Sequence, residues 1–139
     1  MQNQNTQIFF NDSDVDVTHK INTIELDNWM SHLKYIKKEI TNLVNLCNTD
    51  LSLKLKQDNV QKSLQIKEVE NEALLAAFNR YAISRTDIIE CEDTQCDMVY
   101  ITEHEGYRRR YLQHIEAYRK LKNEFFNKVQ GTFTLTKKH

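Results

Sequence analysis

One stretch of this chain carries an uninterrupted heptad seam, and this feature limits the possible folds most strongly. Its apolar side chains recur at alternating spacings of three and four residues, the period of an α-helix that packs lengthwise on another helix. Charged residues such as Lys34 and Glu39 fill the positions between them, and Thr23 is suited to cap the start. The pattern predicts a long first helix whose seam is Leu26, Trp29, Leu33, Ile36, Ile40, Leu43 and Cys47.

Two further helices are predicted downstream. From about Asp58 to about Glu90 the apolar residues form two stripes, which indicates a helix with two packing partners. From about Asp93 to Val129 a longer helix has an aromatic seam, and Gly131 is expected to end it as a C-terminal cap. The stripes of the second helix are Val60, Leu64, Leu74, Phe78 and Tyr81, and Ile66, Val69, Ala73, Ala76, Ala77 and Ile83. The aromatic seam is Tyr100, His104, Tyr107, Tyr111, His114, Tyr118, Leu121 and Phe125.

The composition favours the same fold class. The 139 residues include 2 glycines and no proline, so the residues that most readily make tight turns and stop helices are scarce. An all-β fold, which needs many turns, is disfavoured. We predict an all-α protein, an elongated antiparallel bundle of three long helices, or four if the chain breaks near residues 87–106. Residues 21–131 are predicted to form one domain, with a polar tail at 1–20 and a short tail at 132–139.

The composition also bears on where the protein resides. Hydrophobic residues make up 40% of the chain and charged residues 28%, which suits a folded protein in water. No apolar run approaches the roughly 20 residues that span a bilayer, and the first residues do not resemble a secretory leader. We therefore expect a cytoplasmic protein without membrane contact. Three cysteines are too few and odd in number for a disulfide framework, so reduced thiols are expected.

The net charge of -1 conceals a change of sign along the third helix. Residues 87–105 hold seven acidic and no basic side chains, whereas residues 106–139 hold nine basic and two acidic ones. This pattern fits a long soluble helix whose charges complement its dipole, or two copies of the helix pairing antiparallel. Nucleic-acid binding by residues 108–110 with Tyr107 and Tyr111 is a third interpretation. It is disfavoured because the tyrosines belong to the seam and the acidic half repels phosphates.

One group of residues resembles a metal site. Cys91 and Cys96 are separated by four residues, and His104 follows eight residues later. Thiolates and an imidazole are ligands that zinc prefers, but a second matched pair is missing. A reversible disulfide and two small half-buried residues at a helix junction are the alternatives. His104 and His114, which share a helix face, are expected to be core histidines bonded to a tyrosine or a carboxylate.

No motif for catalysis is present. The chain lacks a glycine-rich phosphate loop, a nucleophile elbow and a zinc-protease pattern, so we predict no enzymatic activity and no cofactor. The sequence instead predicts a protein-interaction or scaffold module that forms a homodimer through its third helix. Its alternative is a metal-binding or redox-responsive protein that uses Cys91, Cys96 and His104. The predicted interaction surface comprises Tyr107, Arg108, Arg109, Tyr111 and Tyr118.

Overall fold

A computed structural model describes residues 6–47 and 59–137, with side chains described as far as residue 130. Three long helices account for most of these residues: α1 (Asp14–Leu46), α2 (Val60–Ser84) and α3 (Thr94–Lys137). A 3-10 helix, Arg85–Glu90, directly follows α2. The described ranges contain no strand, so the all-α prediction is confirmed.

The three helices form an up-down-up bundle. Residues near the start of α1 contact residues near the start of α3, and their later parts contact each other as well, so these two helices run parallel. α2 runs in the opposite direction and packs against both, which agrees with the predicted three-helix bundle. The contacts that define these directions are His19–Asp97 and Glu39–Lys122 between α1 and α3, and Tyr81–His104 and Asn71–His114 between α2 and α3.

α1 begins earlier than the seam predicts. Ser13 Oγ accepts a hydrogen bond from the backbone N–H of Asp16, and a carboxylate oxygen of Asp16 accepts one from the backbone N–H of Ser13, each at 3.1 Å. This capping box satisfies two donors at the helix start and fixes it at Asp14. The predicted polar tail at 1–20 is therefore helical from Asp14 onward, and its residues 1–5 lie outside the described part of the chain.

α3 passes through both glycines without a break. The prediction that Gly131 ends the helix was wrong, because α3 continues to Lys137 and includes most of the predicted C-terminal tail. Gly106 does not divide the helix either, so the four-helix alternative is not adopted. The physical reason is that one glycine costs a helix interior only about 1 kcal/mol relative to alanine, less than the packing on either side contributes. Residues 138 and 139 lie outside the described range.

Gly106 offers a first test of this packing. A Cβ atom at this position would meet its nearest neighbour, Arg109 Nη2, at 3.9 Å, which is ordinary contact, and the backbone there is not left-handed. We expect Gly106→Ala to raise the free energy of unfolding by about 0.5 to 1 kcal/mol, through helix propensity and a less flexible unfolded chain. Urea denaturation followed by circular dichroism measures the change. Destabilisation by Gly106→Ala would contradict the open space at this site.

The core follows the predicted seam of α1. All seven seam residues are at most 5% exposed, and they pack against the buried stripe of α2 and the inner face of α3. A larger cluster centres on Trp29 and Phe78, and a smaller one near the other end centres on Leu64 and Phe125. Within the described ranges, no helix is both long and apolar enough to cross a membrane.

Candidate interaction surface and interior polar cluster

α2 carries its two apolar stripes on opposite sides, and the bundle covers one of them. The covered stripe includes Leu64 and Phe78, both fully buried. On the other side Ile66, Val69 and Ile83 are 51%, 69% and 71% exposed. With the exposed Ala73 and Ala76 they repeat at spacings of three and four residues, interrupted once by Arg80. We call this exposed row, Ile66, Val69, Ala73, Ala76 and Ile83, the α2 seam.

The α2 seam has the character of a helix-packing surface. Alanines occupy its centre, where small side chains let a second helix approach closely, and larger side chains occupy its two ends. Charged residues flank it, with Lys62 before its start and Glu70 and Glu72 at its sides. Apolar rows of this kind on a protein surface are typical of interaction sites. The predicted member Ala77 is only 7% exposed and belongs to the core side of the helix.

The tyrosines of the predicted interaction surface on α3 point into the bundle. Tyr118 is 4% exposed, and its hydroxyl donates to Glu39 at 2.5 Å. The ring of Tyr107 stacks on Tyr81 with centroids 4.1 Å apart, and the ring of Tyr111 stacks on Trp29 at 5.3 Å. The sequence seam is thus confirmed as a packing face. Its partners lie within the same chain, however, so these rings are not a free surface.

The two predicted surface arginines differ in their environment. Arg108 donates to both carboxylate oxygens of Glu25, from Nε to Oε2 at 3.0 Å and from Nη2 to Oε1 at 2.5 Å, and also pairs with Glu105. Hydrogen bonds to these carboxylates raise the pKa of Arg108 above its ordinary value. Arg109 is exposed to solvent. Because Arg108 is already paired with carboxylates of the same chain, the basic cluster at 108–110 offers phosphates fewer unpaired positive charges than its sequence indicates.

A buried polar cluster links all three helices at His104. Its Nδ1 atom lies 2.6 Å from the hydroxyl of Tyr81, and its Nε2 atom lies 2.8 Å from Glu25 Oε1. The Tyr81 oxygen also accepts a hydrogen bond from Arg85, so its proton is directed at Nδ1 and leaves Nε2–H to donate to Glu25. The expectation of core histidines is confirmed for His104, and His114 is likewise buried, bonded to Asn71 instead.

Burial sets the protonation states in this cluster. It lowers the pKa of His104 and raises the pKa of Tyr81 to about 12, so both side chains are neutral near pH 7. Burial also acts to raise the pKa of Glu25, but hydrogen bonds from Arg108 and His104 outweigh it and hold that pKa below its usual range. Glu25 is therefore ionised and paired with Arg108, and the neutral His104 donates to the same carboxylate.

The predicted metal residues are not brought together. Cys91 and Cys96 are joined by a disulfide with their Cα atoms 5.5 Å apart, so the expectation of reduced thiols was wrong for this pair. Both ring nitrogens of His104 are engaged by Tyr81 and Glu25. Among the described residues no group of three or more metal-ligating side chains could hold an ion. A persistent disulfide is typical of oxidising compartments, so the cytoplasmic location stays a prediction.

The chain was compared with known proteins at the levels of family, sequence and structure. No protein-family model, no curated protein and no solved structure matched it. The class that the fold defines is an all-α three-helix bundle.

Proposed function

We propose that this protein is a non-catalytic interaction module that self-associates, and that two copies meet through the α2 seam. The observation that carries the proposal is the heptad-spaced apolar row on the side of α2 opposite the core. We place the contact on α2 and not on α3, because the aromatic seam of α3 packs inside its own bundle. The pattern of the seam indicates that a second copy of this chain binds it.

The seam is complementary to itself when two copies run antiparallel. A two-fold axis between Ala73 and Ala76 brings Ala73 against Ala76 of the partner subunit, where the small side chains allow close approach. The same axis brings Ile66 against Ile83 of the partner subunit, so the largest apolar residues at the two ends cover each other. A closed, self-complementary contact of this kind is typical of homodimers.

The charges around the seam favour the antiparallel direction. In that register Lys62 lies near the 3-10 helix of the partner subunit, which carries the exposed Asp87. Arg80 lies beside Val69 of the partner subunit, next to the glutamates that flank the partner's seam. Parallel helices in register would instead place Arg80 against Arg80 and Lys62 against Lys62. Like charges facing each other across a helix pair are unfavourable, so partner direction is set by this pattern.

The length of the seam sets the expected affinity of the dimer. α2 has 25 residues, so a contact along all of it is about 37 Å long and one helix wide. An interface of that size falls at the small end of specific protein contacts, below about 1,200 Å² in total. We therefore expect a dimer that dissociates on dilution.

Ala76→Glu tests this interface. The substitution places a charged, larger side chain at the centre of the contact, and we expect the dimer dissociation constant to rise at least about tenfold, or about 1.4 kcal/mol. Sedimentation velocity over a concentration series measures the constant. Ala117→Glu, at an exposed position of α3, is the matched control and should leave association unchanged. Equal effects of the two variants, or a wild-type chain that stays at 16.6 kDa at every concentration, would reject the proposal.

Cysteine cross-linking examines the register in the same dimer. A mixture of Ile66→Cys and Ile83→Cys chains should form an intermolecular disulfide under oxidation, whereas Ile66→Cys alone should not, because its two copies lie about 25 Å apart in the antiparallel arrangement. Non-reducing electrophoresis detects the product. Efficient cross-linking of Ile66→Cys with itself would indicate parallel helices and overturn the proposed register.

A further inference from the structure

A pocket of about 630 Å³ opens at the end of the bundle where α1 and α3 begin. Its walls come from the first turns of α1, the last turn of α2, the 3-10 helix and the start of α3. This size is in the range that holds small organic ligands. Leu26, Ala82 and Ile88 supply apolar surface, while Thr23, His19 and Arg85 supply polar groups.

Arg85 is the most unusual residue in this wall. It is 7% exposed, and its guanidinium donates to the hydroxyls of Tyr81 at 2.9 Å and Thr23 at 2.8 Å and to the backbone carbonyl of His19 at 2.8 Å. All of these acceptors are uncharged. Among the described residues no carboxylate lies within ion-pair distance of Arg85, and its Nε–H has no acceptor.

His19 repeats the pattern on the same wall. It is 8% exposed, its Nε2 atom bonds to Asp97 at 2.9 Å, and its buried Nδ1 atom has no hydrogen-bond partner. Buried polar atoms in folded proteins are nearly always satisfied, so two such atoms in adjacent pocket residues require an explanation. A buried cation without a counter-ion is more costly still, because desolvation is not offset by an opposite charge.

We propose that this pocket binds a small organic monocarboxylate, whose carboxylate faces Arg85 and whose apolar body lies against Leu26, Ala82 and Ile88. A planar guanidinium matches a carboxylate in geometry and charge, and the bond is charge-assisted. The Thr23 hydroxyl, which lines the pocket, is the neutral acceptor that an incoming carboxylate replaces.

The other charges in the wall limit the ligand to one negative charge. Asp16, Asp27 and Asp97 also line the pocket, as does Lys20, which is paired with Asp12 at 2.7 Å. Asp97 is engaged by His19 and Asp16 by the capping box, but Asp27 is exposed at the rim. A polyanion such as a nucleotide would meet this acidic rim. A single carboxylate that reaches Arg85 on the inner wall meets a cation that no carboxylate of the described wall residues pairs with.

Binding of hexanoate, measured by calorimetry or by NMR chemical-shift titration of the full chain, tests the assignment. We expect hexanoate to bind at millimolar or lower concentration, the uncharged isostere hexanamide at least about tenfold more weakly, and inorganic phosphate more weakly than hexanoate. Arg85→Gln should weaken hexanoate binding at least about tenfold, whereas Arg109→Gln, which removes an exposed arginine of α3, should leave it unchanged.

A second variant keeps the test decisive if Arg85→Gln fails to fold. Ala82→Leu narrows the pocket and retains the guanidinium, and it should also weaken hexanoate binding, while Ala117→Leu on the exposed face of α3 should not. Far-UV circular dichroism and Trp29 fluorescence report whether each variant is folded. Equal binding of hexanoate and hexanamide, tighter binding of phosphate, or hexanoate binding that survives in folded Ala82→Leu would each overturn the assignment.

Discussion

Phe78→Ala is expected to lower the free energy of unfolding by about 3 to 5 kcal/mol, the largest loss that we predict for one side chain. Phe78 is fully buried where the three helices meet. Its ring centroid lies 5.4 Å from that of Trp29 on α1 and 5.9 Å from that of Tyr107 on α3. Truncation leaves a cavity that three rigid helices cannot close, because the neighbouring rings are held by further stacking.

Urea denaturation measures the Phe78→Ala effect, and Trp29, the single tryptophan of the chain, supplies the fluorescence signal. Phe126→Ala is the matched control, because Phe126 is 51% exposed and its truncation should cost no more than about 1 kcal/mol. A loss for Phe78→Ala no larger than that of the control would show that the helices do not meet at this ring.

Stability is expected to fall between about pH 7.5 and about pH 5, with His114 contributing about 2 kcal/mol of that loss. Burial lowers the pKa of His114 from 6.5 to about 4, with Lys67 and His32 lowering it further and Glu70 opposing them. In the unfolded chain the imidazole takes up a proton below about pH 6.5, whereas the folded protein keeps it neutral down to about 4. The contribution of His114 is therefore complete above pH 6.5 and declines as the pH falls towards 4.

His114→Gln isolates this contribution. The glutamine amide can replace the imidazole N–H that bonds to Asn71 Oδ1 at 2.8 Å, but it does not titrate. We expect urea denaturation to show a smaller loss of stability between the two pH values in His114→Gln than in the wild type, by about 2 kcal/mol. The buried His104, whose pKa is also lowered, keeps its own pH dependence in both proteins. Identical losses would rule out His114 as the titrating group.

The basic half of α3 is paired with acidic residues of the same chain. Carboxylates of α1 face the basic half of α3, since Glu25 pairs with Arg108 and Glu39 accepts a hydrogen bond from Lys122 at 2.9 Å. These pairs join two parallel helices and support their register, because each is more than half shielded from water. The antiparallel pairing of two α3 helices stays a prediction. Large apolar side chains are exposed at three separate places on the described part of α3, at Met98 and Val99, at Leu112 and at Phe126.

The spacing of apolar residues was the most reliable predictor of the buried helix faces. The seam from Leu26 to Cys47 is buried at every position, and the aromatic seam of α3 faces inward at His104, His114 and Tyr118. A helix face is fixed by spacing, so spacing identifies it without knowledge of the neighbours. Helix ends were less well predicted, because capping depends on a few hydrogen bonds. The Ser13-x-x-Asp16 pattern was a signal for the start of α1 that the seam alone did not give.

The candidate sites were less accessible to sequence reasoning. The spacing of Cys91, Cys96 and His104 was compatible with a metal site, a disulfide or free thiols. The turn between the 3-10 helix and α3 brings the two cysteines together, and the spacing of apolar residues does not predict that turn. No motif or spacing in the sequence singles out Arg85. Its significance depends on Tyr81, Thr23 and His19 surrounding it with uncharged acceptors, and these residues come from separate elements.

The sequence by itself determined that this protein is helical and which faces of its helices are apolar, because scarce glycine, absent proline and heptad spacing are local properties. The tertiary structure decided which apolar face each neighbour covers. It packs Tyr107, Tyr111 and Tyr118 against the other two helices, leaves the α2 seam exposed and surrounds Arg85 with neutral partners. The burial of a side chain and the pairing of its charge depend on which residues of the neighbouring helices face it. Three helices with the same apolar spacing can pack in more than one arrangement, so the spacing alone does not decide this.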